Sequence, residues 1–192
     1  MAKSVAEVFK ADDRVVRGAR QLALIAGASL LVALSAHISL PLPFTPVPLT
    51  LQNFAVLLVG LALGSRRGFA ALVLYLAEGI MGMPVFSPTG PGGLAQLIGP
   101  TGGFLLAYPF VAAVAGWVWE RGKPSFARAA MASVLAEILL FAGGLSWLFE
   151  LTHSFGQAIR FGLYGFVFAE IIKVMSAAAL ASRGQRFSKV LL

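Results

Sequence analysis

Six long apolar stretches run through this chain, and away from their ends they hold only four ionisable residues, Glu78, Glu137, Glu170 and Lys173. A soluble fold would have to bury every face of such stretches at once, which a small core cannot do. With 58% hydrophobic residues, 12% charged residues and a mean hydropathy of +0.85, the solvent these segments suit is lipid. About 20 apolar residues cross a bilayer, so six crossings with short connections use nearly all of the 192 residues. Backbone groups in lipid must be satisfied within their own segment, which predicts an all-α membrane protein. One integral membrane domain is expected: a cytoplasmic N-terminal segment over 1–20, a six-helix bundle over 21–181 and a basic cytoplasmic tail over 182–192.

The predicted crossings are 21–40, 49–64, 68–83, 103–119, 127–149 and 157–181, with Pro109 expected to kink the fourth. Residues 1–20 are mixed in charge and suggest an amphipathic helix on the membrane surface leading into the first crossing. The stretch from Leu22 to Ala36 also has the shape of a cleavable signal, but its long charged lead-in and the later crossings favour an anchor. With these boundaries, thirteen of the fifteen Lys and Arg residues fall on one side; Arg160 lies opposite and Lys173 within a crossing. The positive-inside rule then places both termini in the cytoplasm. The net charge of +7 sits at the ends of apolar runs and not along a face, which argues against nucleic acid as a partner.

The two loops expected outside, 37–48 and 84–102, contain no Lys, Arg, Asp or Glu. The second carries five Gly and four Pro, a composition that permits sharp turns and converging backbone N–H groups able to bind a carboxylate. Its apolar members Val85, Phe86, Leu94, Leu97 and Ile98 favour folding back onto the bundle, as a lid or pocket wall or as a passive cap.

Charges inside a bilayer are costly unless paired or turned inward. Glu170 and Lys173 lie three apart on one helix and share a face, either as a structural ion pair or as a recognition site for a neutral or zwitterionic solute. Glu78 reaches the pocket rim or the interface, and Glu137 has no evident partner on its own helix, Lys173 being one choice across helices. Ala19, Ala23 and Gly27 form a stripe of small residues suited either to internal packing or to docking a partner helix. No Cys and only two His are present, so thiolate and His-based metal sites are not expected, and no cofactor is called for. Phosphate-loop, H-E-x-x-H and G-x-S-x-G motifs are missing, so the chain is not expected to be an enzyme, and active transport would need energy from another chain or an ion gradient.

Four ordered segments, PVPLTLQ (46–52), AVLLVGLALGSRRG (55–68), YLAEGIMGMPVF (75–86) and GPTGGFLLAYP (99–109), resemble hallmark segments of BioY, the biotin-binding S component of energy-coupling factor (ECF) transporters. The resemblance extends from the first crossing onward. It implies biotin uptake in the plasma (inner) membrane, with a transmembrane coupling subunit and two ATPase subunits as partners. It also implies a site in which Thr50, Gln52, Phe86 and the turn Gly99, Pro100, Thr101, Gly102, Gly103 line or close the pocket, and coupling-subunit contact through Ala19, Ala23 and Gly27. The family reads the biotin head group with a D-x-x-K pair; the matching residues are Glu170 and Lys173, the acid one methylene longer, and Gly165 and Phe168 stand in the stretch where the family has prolines. Tyr75, Phe86 and Tyr108 would pack on the thiophane ring or simply between helices.

Overall fold

The computed structural model describes residues 5–184, with side chains from residue 15 onward; residues 1–4 and the part of the predicted basic tail over 185–192 lie outside the described residues. The elements run α1 (Val5–Ala36), β1 (Ser39–Leu40), β2 (Leu49–Thr50), α2 (Gln52–Ile80), α3 (Gly93–Ile98), α4 (Gly102–Glu120), α5 (Phe126–Thr152), α6 (Phe155–Gly162) and α7 (Val167–Arg183). Among the described residues, four helices are long and apolar enough to cross a membrane, five if the bent pair α6–α7 is one span. The chain is therefore a multi-pass membrane protein in its architecture.

The helix α1 is continuous over 32 residues, so the expected surface helix and first crossing are one element. The helix α2 is not straight. Gly64 takes φ 79°, ψ 177°, a combination open essentially only to glycine, and a side chain there would also run into Glu120. Glu120, at the end of α4, accepts a hydrogen bond from the Ser65 N–H at 3.1 Å, which holds the break in place. Gln52 and Tyr75 are hydrogen-bonded at 2.8 Å although a straight helix would separate them by about 34 Å, so the two arms, 52–63 and 65–80, fold back antiparallel. This reversal falls where the sequence predicts a connection between two crossings.

Packing is tightest between α2 and α4, then between α4 and α5 and between α1 and α2. A Cβ on Gly60 would stand 2.5 Å from the Ala112 carbonyl, so α2 and α4 approach closely because the contact residues are small. The core around this seam includes Val56, Leu57, Leu72, Val111, Ala115 and Ala132. Large apolar residues such as Leu34, Phe110, Ile138 and Ile172 point outward, as a lipid-facing surface requires. Pro109 lies inside α4 without ending it.

Three features depart from the sequence-based expectation. The sixth predicted crossing is broken: α6 and α7 meet at a bend of 50°. Ser154 caps α6 by accepting from the Gln157 N–H, and the chain leaves helical geometry around Leu163 before α7 begins. The loop 37–48 contains one strand of a short antiparallel pair that ties it to the residues after it, Ser39 opposite Thr50 and Leu40 opposite Leu49. The glycine-rich loop contains α3, so it is not structureless. Glycines flank α3 on both sides, and Gly92 and Gly93 both adopt positive φ, which turns the chain sharply into this short helix.

Candidate functional site

Both uncharged loops, the first turn of α2 and the bent pair converge on one cavity with an empty volume of about 560 Å³, counting its open part. Its lining includes Val47, Pro48, Thr50, Gln52 and Asn53 from the first loop and α2, Ser87, Gln96 and Thr101 from the glycine-rich loop, and Phe166, Glu170 and Lys173 from α7 and its start. Phe104, Leu105, Tyr108, Leu140 and Phe141 complete an apolar wall. This is the mixture, mostly apolar with a few convergent polar groups, of a small-molecule site.

Glu170 and Lys173 are both buried, and Lys173 Nζ donates to Glu170 Oε1 at 2.6 Å. The bend before α7 sets the surroundings of this pair in two ways. It starts a new helix at Val167, so Glu170 falls in the first turn where the helix dipole favours a carboxylate. It also turns the shared face of the pair toward α2 and α5.

A second acid joins them. Asn53 Nδ2 donates to Glu170 Oε2 at 2.7 Å and to Glu137 Oε1 at 2.6 Å, so one amide links α2, α5 and α7. Glu137 thus finds its partner across helices in Asn53 and not by a hydrogen bond to Lys173. Glu78 is also accounted for, accepting from Ser29 Oγ of α1 at 2.5 Å.

The mouth is held by three ties. Trp147 Nε1 of α5 donates to the Gly99 carbonyl at 2.9 Å. Gln96 Oε1 accepts from the Gly92 N–H at 3.1 Å, closing the turn around α3. Thr45 Oγ1 donates to the Phe161 carbonyl at 2.6 Å and accepts from the Val47 N–H at 3.1 Å, binding the first loop to α6.

Of the residues expected at the site, Thr50, Gln52, Thr101, Tyr108, Glu170 and Lys173 line the cavity. Tyr75 and Phe86 stand behind it. Their rings meet edge to face at 5.4 Å, and the Tyr75 hydroxyl accepts from Gln52 and donates to the Val85 carbonyl at 3.0 Å. They support the wall through Gln52 and are absent from the lining. Gly99, Pro100, Gly102 and Gly103 are also outside it; the Gly102 N–H is spent on the Gly99 carbonyl at 3.0 Å, and Gly103 packs on Trp147. Asn53, Gln96, Phe104 and Phe166 are lining residues that the sequence reading did not single out. Asn53 follows Gln52 in a quoted motif, but its partners lie 84 and 117 residues away, and no local spacing points to them.

On α1, Ala19, Ala23 and Gly27 are exposed, and a Cβ on Gly27 would meet nothing within 4 Å. The stripe is not used for packing within the described residues.

The family model described as the BioY family matches residues 3–189. The chain belongs to the BioY family. A probable biotin transporter BioY of Pyrococcus horikoshii is 35% identical over 167 residues, covering 87% of this chain and 97% of that one. The biotin transporter BioY of Thermotoga maritima is 38% identical over 164 residues, covering 85% and 95%. Among solved structures, the S-component for biotin from an ECF-type ABC transporter superposes with a TM-score of 0.79 over 96% of this chain and 95% of that one, at 21% identity. That likeness establishes the S-component fold for this BioY chain.

Proposed function

We propose that this BioY chain captures biotin and carries it across the plasma membrane as the substrate-specific subunit of an ECF-type transporter. The observation that carries this reading is the buried Glu170–Lys173 pair at the floor of a cavity otherwise walled by apolar and neutral polar groups. Such a floor suits a ligand whose head is neutral yet rich in hydrogen-bond donors and acceptors. The ureido ring of biotin has two N–H donors and one carbonyl, its thiophane ring is apolar, and both match what lines the cavity. Phe104, Phe141 and Phe166 offer the aromatic surface for the thioether ring. Thr101, Ser87 and Gln96 supply neutral hydrogen-bond donors for the valerate carboxylate. Relatives named as biotin transporters over nearly their whole length support the same ligand.

Six crossings with cytoplasmic termini follow from the charge asymmetry, with the two arms of α2 counted separately and α6–α7 as one broken span. The cavity then opens away from the cytoplasm. The exposed stripe of Ala19, Ala23 and Gly27 is the surface for a transmembrane coupling subunit, which two ATPase subunits would drive.

The test is ligand binding by the purified protein, comparing biotin with its methyl ester and with desthiobiotin. Biotin is expected to bind tightest, and equal affinity for all three would overturn the assignment. A second buried acid beside the site, Glu137, favours one rival, a solitary proton-coupled carrier. Uptake that persists without any ATPase partner and stops when the proton gradient collapses would select that rival.

A further inference from the structure

The amide of Asn53 has only two hydrogens, and both are committed, one to Glu137 and one to Glu170. This settles which way the amide faces. Turned over, its oxygen would lie against the Glu170 carboxylate, which Lys173 holds charged, and the ionised form of Glu137 would add a second such clash, so Nδ2 faces the acids. What Asn53 has left is Oδ1, a buried atom with no partner among the described residues, on a side chain that lines the cavity. Glu137 does not line the cavity; it stands behind Asn53, and its hydrogen bond goes to that residue.

We propose that Asn53 determines specificity by presenting Oδ1 as an acceptor to an N–H group of the ligand head, and that Glu137 is a positioning residue that fixes this orientation. The inference rests on the biotin-capture reading and deepens it. The floor then offers two acceptors, Asn53 Oδ1 and the Glu170 carboxylate, and one donor, Lys173 Nζ. That set complements a cyclic urea, with two N–H groups and one carbonyl, group for group. A ligand head with a further carbonyl in place of an N–H would oppose acceptor to acceptor at Asn53 and be rejected, since a buried unpaired pair costs more than a lost contact.

The roles are separable by pairing protein variants with ligand variants. Affinities are measured for biotin and for the two analogues methylated at either ureido nitrogen, on wild-type protein, Glu137→Gln and Asn53→Ala, with melting temperatures recorded alongside. Glu137→Gln replaces one of the two acids that fix Asn53 by an amide that can present either an acceptor or a donor, leaving Glu170 alone to hold Nδ2. Asn53→Ala is expected to weaken biotin binding about tenfold or more, the weight of one buried hydrogen bond, and Glu137→Gln about threefold or more. Each should weaken binding of one methylated analogue by less than about twofold, because that analogue already lacks the N–H concerned. Equal losses for biotin and both analogues would mean that the residues only support the wall, and would overturn the proposal. Unchanged biotin affinity in either variant would overturn it too. Should one variant fail to fold, the other gives the same comparison independently. A wild-type protein that does not bind biotin would count against the capture reading and not against the orientation of Asn53.

Discussion

The indole N–H of Trp147 donates to the carbonyl of Gly99 at 2.9 Å, fastening the far end of the glycine-rich loop to α5. The bond crosses between a rigid helix and the turn that follows α3, so one polar tie holds that side of the loop over the cavity. Replacing Trp147 with Phe keeps most of the packing against Gly103 and removes only the donor. The expected result is faster biotin release with little change in association, an affinity loss of roughly 0.5–1.5 kcal/mol. Stopped-flow or filter-binding dissociation rates check this, and an unchanged off-rate would show that the loop does not gate the ligand.

Glu170→Gln and Lys173→Ala each leave a buried polar partner behind. Each is expected to cost biotin binding about 1–3 kcal/mol or more. Because the two residues form one unit, the double variant Glu170→Gln/Lys173→Ala should lose much less than the sum of the singles. Isothermal titration of the four proteins measures the coupling, and strictly additive losses would separate the two residues.

Gly64 carries the reversal of α2. An alanine there must adopt a backbone conformation that L residues avoid and must displace Glu120. Gly64→Ala is expected to lower stability by about 1–3 kcal/mol. It should do so without changing the ligand selectivity of the protein that remains folded, since the break lies at the end of the bundle opposite Gln52 and Tyr75. Thermal denaturation in detergent gives the first quantity and analogue binding the second.

A bulky residue on the exposed α1 stripe should act differently. Ala23→Trp is expected to leave biotin binding by the isolated chain intact, because Ala23 faces away from the bundle. Uptake by the assembled transporter should fall by at least about tenfold if a partner helix must come within small-residue distance. Uptake at the wild-type rate would remove the stripe from the coupling surface.

The fold class was legible because lipid leaves so few choices. Apolar length calls for helices, and the one-sided placement of Arg66, Arg67, Arg121 and Lys123 marks the connections, one of which the structure turns at Gly64. Glu170 and Lys173 were legible for a local reason: three residues of helix put them on one face. The break between α6 and α7 was not, since Gly-Leu-Tyr-Gly is as apolar as its surroundings and carries no proline. Asn53 and Glu137 lie beyond any local rule, because what pairs them is the angle at which α2 meets α5. Tyr75 and Phe86 suit either a ligand role or packing between helices by sequence, and in the structure their rings meet each other behind the lining.

The bend between α6 and α7 divides the labour of the last span. Thr45 fastens the vestibule to α6, while the buried ion pair rides on α7. Because the two pieces meet at 50°, the part that carries the loop's fastening and the part that carries the ion pair run along different axes, so one stretch of chain furnishes both a side of the vestibule and its charged base.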